Sequence, residues 1–290
     1  MTQWKLTLSY DGTSFHGWQV QPGLATIQGR LAQAIEQITG ETTLPQGSGR
    51  TDAGVHALAQ VASVGIKASI PAANFLRALN SNLPPSIRVT AAEAVSESFH
   101  ARYGAVRKTY EYRIFERRER AGSEGRVCSP FLAPYVWDCR WPVDFDRLQG
   151  AAGRLVGEHD FASFRASDPD RTDRADRADR TDRTTRTDPP GEAFGTVRTV
   201  FFSAWTRGEN TLVYRVIGNG FLHHMVRNLV GTMVDVGRGS LEPSDIDRIL
   251  AARDRTAAGP TAPASGLFLV SIEYPESPGK ATSEHNEEQP

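Results

Sequence analysis

A single carboxylate, Asp52, lies in the glycine-rich stretch GSGRTDAGVH at residues 47–56. The three glycines of this stretch have no Cβ, so the backbone can take positive φ angles and a bulky ligand can approach closely. Arg50 offers a planar donor group that suits phosphate or carboxylate. Its positive charge favours the ionised form of Asp52, which a nucleophile or a base must have at neutral pH. The composition is typical of a site built around a carboxylate, or of a turn in which an Asp side chain bonds its own backbone.

The stretch resembles the catalytic-aspartate motif of the tRNA pseudouridine synthase A (TruA) family. Four further segments resemble motifs of that family in the same order along the chain. These are YDGTSFHGWQVQ at 10–21, RKTYEYRI at 107–114, FLHHMVRNLVG at 221–231 and ASGLFLV at 264–270. Five ordered motifs spread over about 1–275 are hard to obtain by chance.

The resemblance implies a role for five residues. Asp52 is the expected nucleophile, Tyr110 is expected to stack on the target base, and Arg227 is expected to face Asp52 from a long helix. Arg50 would add positive charge, and Leu267 would form an apolar wall of the pocket. The residues alone also fit a structural interpretation, in which Tyr110 is an alternating strand residue, Arg227 forms a local salt bridge and Leu267 is ordinary sheet core.

The activity implied by the resemblance is the isomerisation of uridine to pseudouridine at positions 38, 39 and 40 in the anticodon stem-loop of tRNA. The base is detached from C1′, rotated and reattached through C5, so no group has to be supplied and no cofactor is expected. The resemblance also implies a homodimer. An ionised Asp52 could add to C6 of the base, attack C1′ or remove a proton from the sugar.

The histidines show no metal-ligand spacing, although His223 and His224 are adjacent. We predict that both lie on a helix, where neighbouring side chains point about a hundred degrees apart. The two rings would then not bind a metal jointly. We therefore expect structural or RNA-facing roles for them, and no metal site.

The formal net charge of −1 is unevenly distributed along the chain. Residues 168–190 carry seven Asp and six Arg, residues 276–290 carry four Glu and one Lys, and the remainder has a net charge of +3. Residues 101–127 hold eight Lys or Arg against four Glu and include Arg102, Arg107 and Lys108. Such a run is typical of a solvated face, or of a surface that binds RNA phosphates next to a stacking aromatic.

Hydrophobic periodicity predicts two βαββαβ halves, at residues 1–100 and 101–275. The alternation over 4–10 indicates a strand, and the spacing of Ile27, Leu31, Ile35 and Ile38 indicates a helix between Thr26 and Gly40. We further predict strands at 42–46, 58–66, 87–95, 108–116, 196–206, 211–217 and 266–273, and helices at 71–80, 143–156, 221–236 and 243–254. The expected fold is α+β, with two ferredoxin-like (RRM-like) halves forming a largely antiparallel sheet around a central active-site cleft.

Two segments do not fit this pattern. Residues 168–190 repeat Asp-Arg-Thr or Asp-Arg-Ala with almost no apolar side chain, which predicts a disordered insertion. Residues 276–290 are predicted to be a disordered acidic tail. The start of the chain has neither a basic segment nor a long apolar run, so we expect no signal peptide, no transmembrane span and a cytoplasmic protein.

Three alternatives remain open on the sequence. A noncatalytic RNA-binding module would have no need of Asp52, and the chain lacks the RNP1 signature. A glycoside hydrolase ordinarily needs two carboxylates, and the resemblance assigns a catalytic role to Asp52 alone. A pseudouridine synthase that acts on another RNA has the same composition.

Overall fold

The computed structural model describes residues 1–117, 125–166 and 195–275. The predicted insertion at 168–190 and the predicted acidic tail at 276–290 lie outside the described residues. In the described part of the chain, ten strands form one largely antiparallel sheet that is combined with helices. This architecture confirms the α+β class and the largely antiparallel sheet.

The first half of the chain follows the predicted order. Its elements are β1 (Thr2–Tyr10), α1 (Ile27–Thr39), β2 (Gln46–Gly47), β3 (His56–Ile66), α2 (Ala72–Asn82) and β4 (Ile87–Val95). At the start of α1 the Thr26 side chain accepts a hydrogen bond from the Gly29 backbone N–H, and at its end Gly40 takes a left-handed conformation. Both ends of α1 therefore use the expected capping residues. The strand predicted at 42–46 is only the two-residue β2.

The second half contains two short strands that the periodicity does not predict. Its elements are β5 (Arg107–Glu116), β6 (Trp137–Cys139), α3 (Phe145–Gly153), β7 (Gly157–Asp160), β8 (Val197–Arg207), β9 (Thr211–Gly218), α4 (Met225–Gly237), α5 (Asp245–Ala252) and β10 (Leu267–Glu273). The unpredicted strands are β6 and β7, of three and four residues. The helix predicted from residue 221 begins at Met225.

The last strand joins the two halves of the sheet, whose order is β4-β1-β3-β10-β5-β9-β8-β7. Strand β10 pairs in parallel with β3 through Phe268 and His56, and in antiparallel orientation with β5 through Leu269 and Tyr110. Residues from the middle and the end of the chain thus meet beside the segment that contains Asp52.

Helix α4 lies in the core, and eleven of its thirteen residues are buried. The sheet residues in the same core include the alternating side chains of β5 and β9, namely Tyr110, Tyr112, Ile114, Leu212, Tyr214 and Val216. None of the helices in the described ranges is long and apolar enough to span a membrane.

We expect Gly231→Ala to lower the free energy of unfolding by about 3 kcal/mol, because overpacking against backbone leaves little room for relaxation. A Cβ at Gly231 in α4 would lie 1.7 Å from the carbonyl oxygen of Pro260. The segment after α5 and the helix would have to separate. Denaturant unfolding followed by fluorescence measures the effect.

Gly153→Ala is the matched control. Gly153 is the last residue of α3, and a Cβ at this position would meet no atom within 4 Å. Alanine there should leave the free energy of unfolding unchanged or raise it by up to about 1 kcal/mol. Equal stability of the Gly231→Ala variant and the wild type would contradict the close packing of α4.

Candidate active site

We call the segment between β2 and β3, residues 48–55, the Asp loop. Residues of the motif at 10–21 form hydrogen bonds with it. The hydroxyl groups of Thr51 and Tyr10 lie 2.9 Å apart in a buried hydrogen bond. The Thr51 carbonyl oxygen accepts from the backbone N–H of Trp18 at 3.0 Å. Thr51 directly precedes Asp52, so these two contacts fix the backbone on which the carboxylate is mounted.

The glycines of the GSGRTDAGVH stretch serve different purposes. Only Gly54 among the three takes a positive φ, of 78°. A Cβ at Gly47 would lie 2.6 Å from the ring of Trp18, and one at Gly49 would lie 3.2 Å from Nζ of Lys108. The expectation that all three glycines make room for a ligand is therefore corrected, because two of them make room for side chains of the protein itself.

Two side chains from neighbouring strands hold the beginning of the Asp loop. Gln60 on β3 donates to the carbonyl oxygen of Gly49 at 2.9 Å and accepts from the Ser48 hydroxyl at 2.8 Å. Lys108 on β5 donates to the carbonyl oxygen of Ser48 at 2.6 Å. Lys108 is thus partly buried and holds the Asp loop, so it is not simply a member of a solvated basic face.

The Asp loop meets α4 through an ion pair between residues 175 positions apart. Nη1 of Arg227 lies 2.8 Å from Oδ2 of Asp52, while its Nε donates to the carbonyl oxygen of Ala262 at 2.8 Å. The side chains of Arg227 and Asp52 are 15% and 21% exposed. The guanidinium therefore bridges two segments and fixes one carboxylate oxygen, while part of the carboxylate stays accessible.

Two histidines approach the same carboxylate. Nε2 of His223 lies 3.7 Å from Oδ1 of Asp52, and Nε2 of His224 lies 3.2 Å from Oδ2. Their ring centroids are 3.9 Å apart. The prediction that the two rings diverge is wrong, because α4 begins only at Met225 and His224 takes a left-handed conformation with a φ of 58°.

The donor atoms of Asp52, His223 and His224 lie within 4.8 Å of one another, which is a spacing that could hold a metal ion. Arg227 contacts the same Oδ2 as His224 and places a fixed positive charge beside this position. Such a charge opposes a divalent cation. We therefore interpret the group as a cluster that orients the carboxylate, the Asp52 cluster.

Tyr110 and Leu267 are both buried and belong to the hydrophobic core. The ring of Tyr110 packs edge-on against Phe221 with centroids 5.1 Å apart. Burial raises the pKa of Tyr110 well above its usual value, and the nearby charge of Asp52 adds to the shift. Tyr110 is therefore a neutral phenol at neutral pH. Leu267 lies opposite Tyr112 in the β10–β5 pairing.

Comparison with known proteins decides the family. A sequence model of a family described as tRNA pseudouridine synthase matches residues 7–104 and 151–275. The chain is 47% identical to tRNA pseudouridine synthase A of Solibacter usitatus, covering 94% of this chain and 100% of the relative. It is 41% identical to the protein of that name from Maridesulfovibrio salexigens, covering 95% and 92%. The chain belongs to the tRNA pseudouridine synthase family.

Membership of the tRNA pseudouridine synthase family gives the geometry its context. The structure brings Asp52 and Arg227 into contact and puts Tyr110 within electrostatic reach of the carboxylate, while Arg50 is exposed. The individual roles of these residues stay predictions. Sequence reasoning missed the contact of His224 with Asp52, for which the His-His doublet was the available signal.

The loss of activity of this synthase at acidic pH should be controlled by His224. Burial lowers the pKa of His224 below its usual 6.5, the carboxylate of Asp52 opposes the shift, and neighbouring positive groups add to it. His224 is thus neutral at pH 7 and gains its proton only in acid. The imidazolium would then pair with Asp52 and reduce its reactivity. We expect His224→Asn to move the acid limb of kcat/KM downward by roughly one pH unit.

The measurement is kcat/KM for pseudouridine formation between pH 4.5 and 8.5. His159→Asn is the control, because His159 lies on β7 and bonds a backbone carbonyl there. Its profile should match that of the wild type. An unchanged acid limb in the His224→Asn variant would show that another group controls it.

Proposed function

We propose that the protein converts uridine to pseudouridine at positions 38, 39 and 40 in the anticodon stem-loop of tRNA, with Asp52 as the nucleophile. The coarser statement follows from family membership: the chain is a tRNA pseudouridine synthase, an isomerase that acts on tRNA. The positions within the anticodon arm are those implied by the family.

The ion pair between Asp52 and Arg227 carries the assignment of the nucleophile. It joins two of the five motifs across 175 residues and holds one carboxylate oxygen at 2.8 Å. A nucleophile that is held in one orientation reacts faster than a freely rotating one. Three basic side chains, those of His223, His224 and Arg227, lie within ion-pair distance of the Asp52 carboxylate and orient it from one side.

The proposed reaction breaks the bond from C1′ to N1 and forms a bond from C1′ to C5. The proton on C5 leaves and N1 becomes protonated, so the reaction is balanced without a cofactor. The Asp52 carboxylate can act on C6, on C1′ or on a sugar proton in this sequence. The target base is reached by turning the nucleotide out of the RNA stack, at a cost of a few kcal/mol.

Tyr110 is proposed to provide the surface on which the turned-out base stacks. Its ring is held by Phe221 and lies near the carboxylate. Because burial keeps the phenol protonated, Tyr110 is suited to stacking and to donating a hydrogen bond. Leu267 is proposed as an apolar wall beside it, and Arg50 as an exposed positive charge that contacts the RNA.

The test is to incubate the purified protein with an unmodified tRNA transcript and no added cofactor, and to map pseudouridine at single-nucleotide resolution. We expect product at uridines 38, 39 and 40 only. A transcript with cytidine at these positions is the matched control and should give no product. Product elsewhere would move the assignment to another RNA site, and free uracil would indicate a glycosidase.

We also propose that the chain consists of two ferredoxin-like halves, residues 1–100 and 101–275. The strand order supports this: β4-β1-β3 with β2 on the far side of β3, and β10-β5-β9-β8. Both have the order of a βαββαβ unit.

We propose that the protein works as a homodimer in the cytoplasm. Light scattering in solution tests whether it is a dimer.

A further inference from the structure

Two neighbouring and partly buried basic side chains, one of which contacts the Asp loop, have no carboxylate partner among the residues that the structure describes. They are Lys108 on β5 and Arg198 on β8. Within the described ranges, Lys108 donates to the carbonyl oxygen of Ser48, and Arg198 donates to the carbonyl oxygens of Gly195 and Val197. Neither side chain forms an ion pair with a carboxylate in this part of the chain.

Strand pairing brings the two cations to the same end of strands β5, β9 and β8. Lys108 pairs with Gly218 on β9, which in turn pairs with Val200, two residues after Arg198. A Cβ at Gly220 would lie 3.6 Å from Nε of Arg198. Phe221 follows Gly220 directly and packs on Tyr110. The positive charges therefore border the ring on which the target base is proposed to stack.

The electrostatic behaviour of Lys108 agrees with this arrangement. Burial, together with the positive charges of Arg102 and Arg198, lowers the pKa of Lys108 to about 8. Burial also lowers the pKa of Arg198. Cations that are partly removed from water and surrounded by like charge gain most from a bound anion.

We propose that Lys108 and Arg198, with Arg102 beside them, form a binding site for one backbone phosphate of the tRNA next to the target uridine. The proposal rests on the proposed function and adds a subsite to it. The chain as a whole has a net charge of −1, so RNA affinity must come from local groups of this kind. Phosphate contacts position a nucleic acid in register, which here would align the uridine with Asp52.

Arg198 provides the sharper test, because Lys108 also holds the Asp loop. We expect Arg198→Gln to weaken tRNA binding about tenfold and to reduce the slope of log K against log salt by about 1. Lys108→Gln should lose affinity to a similar degree and should also lower kcat, since the contact with Ser48 is lost.

Binding is measured by equilibrium titration in an Asp52→Asn background, which prevents turnover. Arg248→Gln is the matched control, because Arg248 lies on α5 and pairs with Asp245 three residues earlier. It should bind tRNA within about twofold of its parent. Wild-type affinity and salt slope in both Arg198→Gln and Lys108→Gln would overturn the phosphate site. A lower kcat in Lys108→Gln with an unchanged salt slope would reduce Lys108 to a positioning residue.

The pH dependence of binding gives an independent readout. A phosphate stabilises protonated Lys108, so tRNA affinity should fall about five- to tenfold between pH 7 and pH 9 as the free lysine loses its proton. Lys108→Arg stays protonated and should lose this dependence. The groups that face Lys108 from the surrounding elements are Arg102, Arg198, Gly218, Ile272 and the backbone of Ser48 and Gly49.

Replacing single RNA phosphates by uncharged methylphosphonates identifies which phosphate the site binds. Anticodon stem-loops that carry one methylphosphonate at a time next to the target uridine should include one that binds the wild-type site about tenfold more weakly. The same substitution should cost the Arg198→Gln variant clearly less, because only Lys108 and Arg102 remain to contact the phosphate. An equal loss in both proteins would place the phosphate elsewhere. Failure of the proposed function would show as tRNA binding without pseudouridine, which leaves these binding tests interpretable.

Discussion

The Asp52→Asn variant should form pseudouridine at least about 10³-fold more slowly than the wild type. An amide has almost the same shape as a carboxylate but cannot act as a nucleophile or a base in this reaction. Its oxygen can still accept the hydrogen bond from Nη1 of Arg227, which now measures 2.8 Å. The change therefore removes the chemistry and preserves the surroundings. Single-turnover assays with enzyme in excess measure the rate without interference from product release.

Asp146→Asn is the control for this substitution. Asp146 is an exposed residue in the first turn of α3, so its replacement should leave the rate within about twofold of the wild type. Equilibrium binding of tRNA should survive in the Asp52→Asn variant. A variant that retains a tenth of the wild-type rate at pH 7 would rule out Asp52 as the reacting group.

Local signals were enough to predict most of the elements. Helix α1 begins after Thr26 and ends at Gly40 as expected, because both caps act within a few residues of the chain. The short strands β6 and β7 were not predicted, because three or four residues are too few to show a periodic pattern. The start of α4 was misplaced because the apolar spacing continues back to Phe221, whereas His224 leaves the helical conformation.

The candidate site was harder to predict from the residues. The contact between Asp52 and Arg227 joins residues 175 positions apart, and no local sequence pattern can predict a contact over such a separation. Only the resemblance to a family paired the two residues, and without it a local salt bridge was the default for Arg227. The same limit applies to Lys108, which lies in a basic run but is drawn inward by the carbonyl oxygen of Ser48.

The second large effect concerns Arg227. We expect Arg227→Gln to lower kcat about 10³-fold and Arg227→Lys to lower it about 10²-fold, because removal of one preorganised charged donor has effects of this order. The guanidinium donates from Nε to Ala262 and from Nη1 to Asp52 at the same time. A lysine keeps the charge but has a single nitrogen, so it cannot hold both partners in this geometry. The rates are measured as for Asp52→Asn, in single turnover at pH 7.

The comparison of single and double variants separates orientation of the carboxylate from a general loss of structure. If Arg227 acts through Asp52, the double variant Asp52→Asn/Arg227→Gln should be no slower than Asp52→Asn alone, since residues that act as a unit are not additive. Arg238→Gln is the control, because Arg238 directly follows α4 and pairs with Asp235. Its kcat should stay near that of the wild type. Near-wild-type kcat in Arg227→Gln would mean that the ion pair only joins the Asp loop to α4, and that the carboxylate is oriented by His223 and His224 instead.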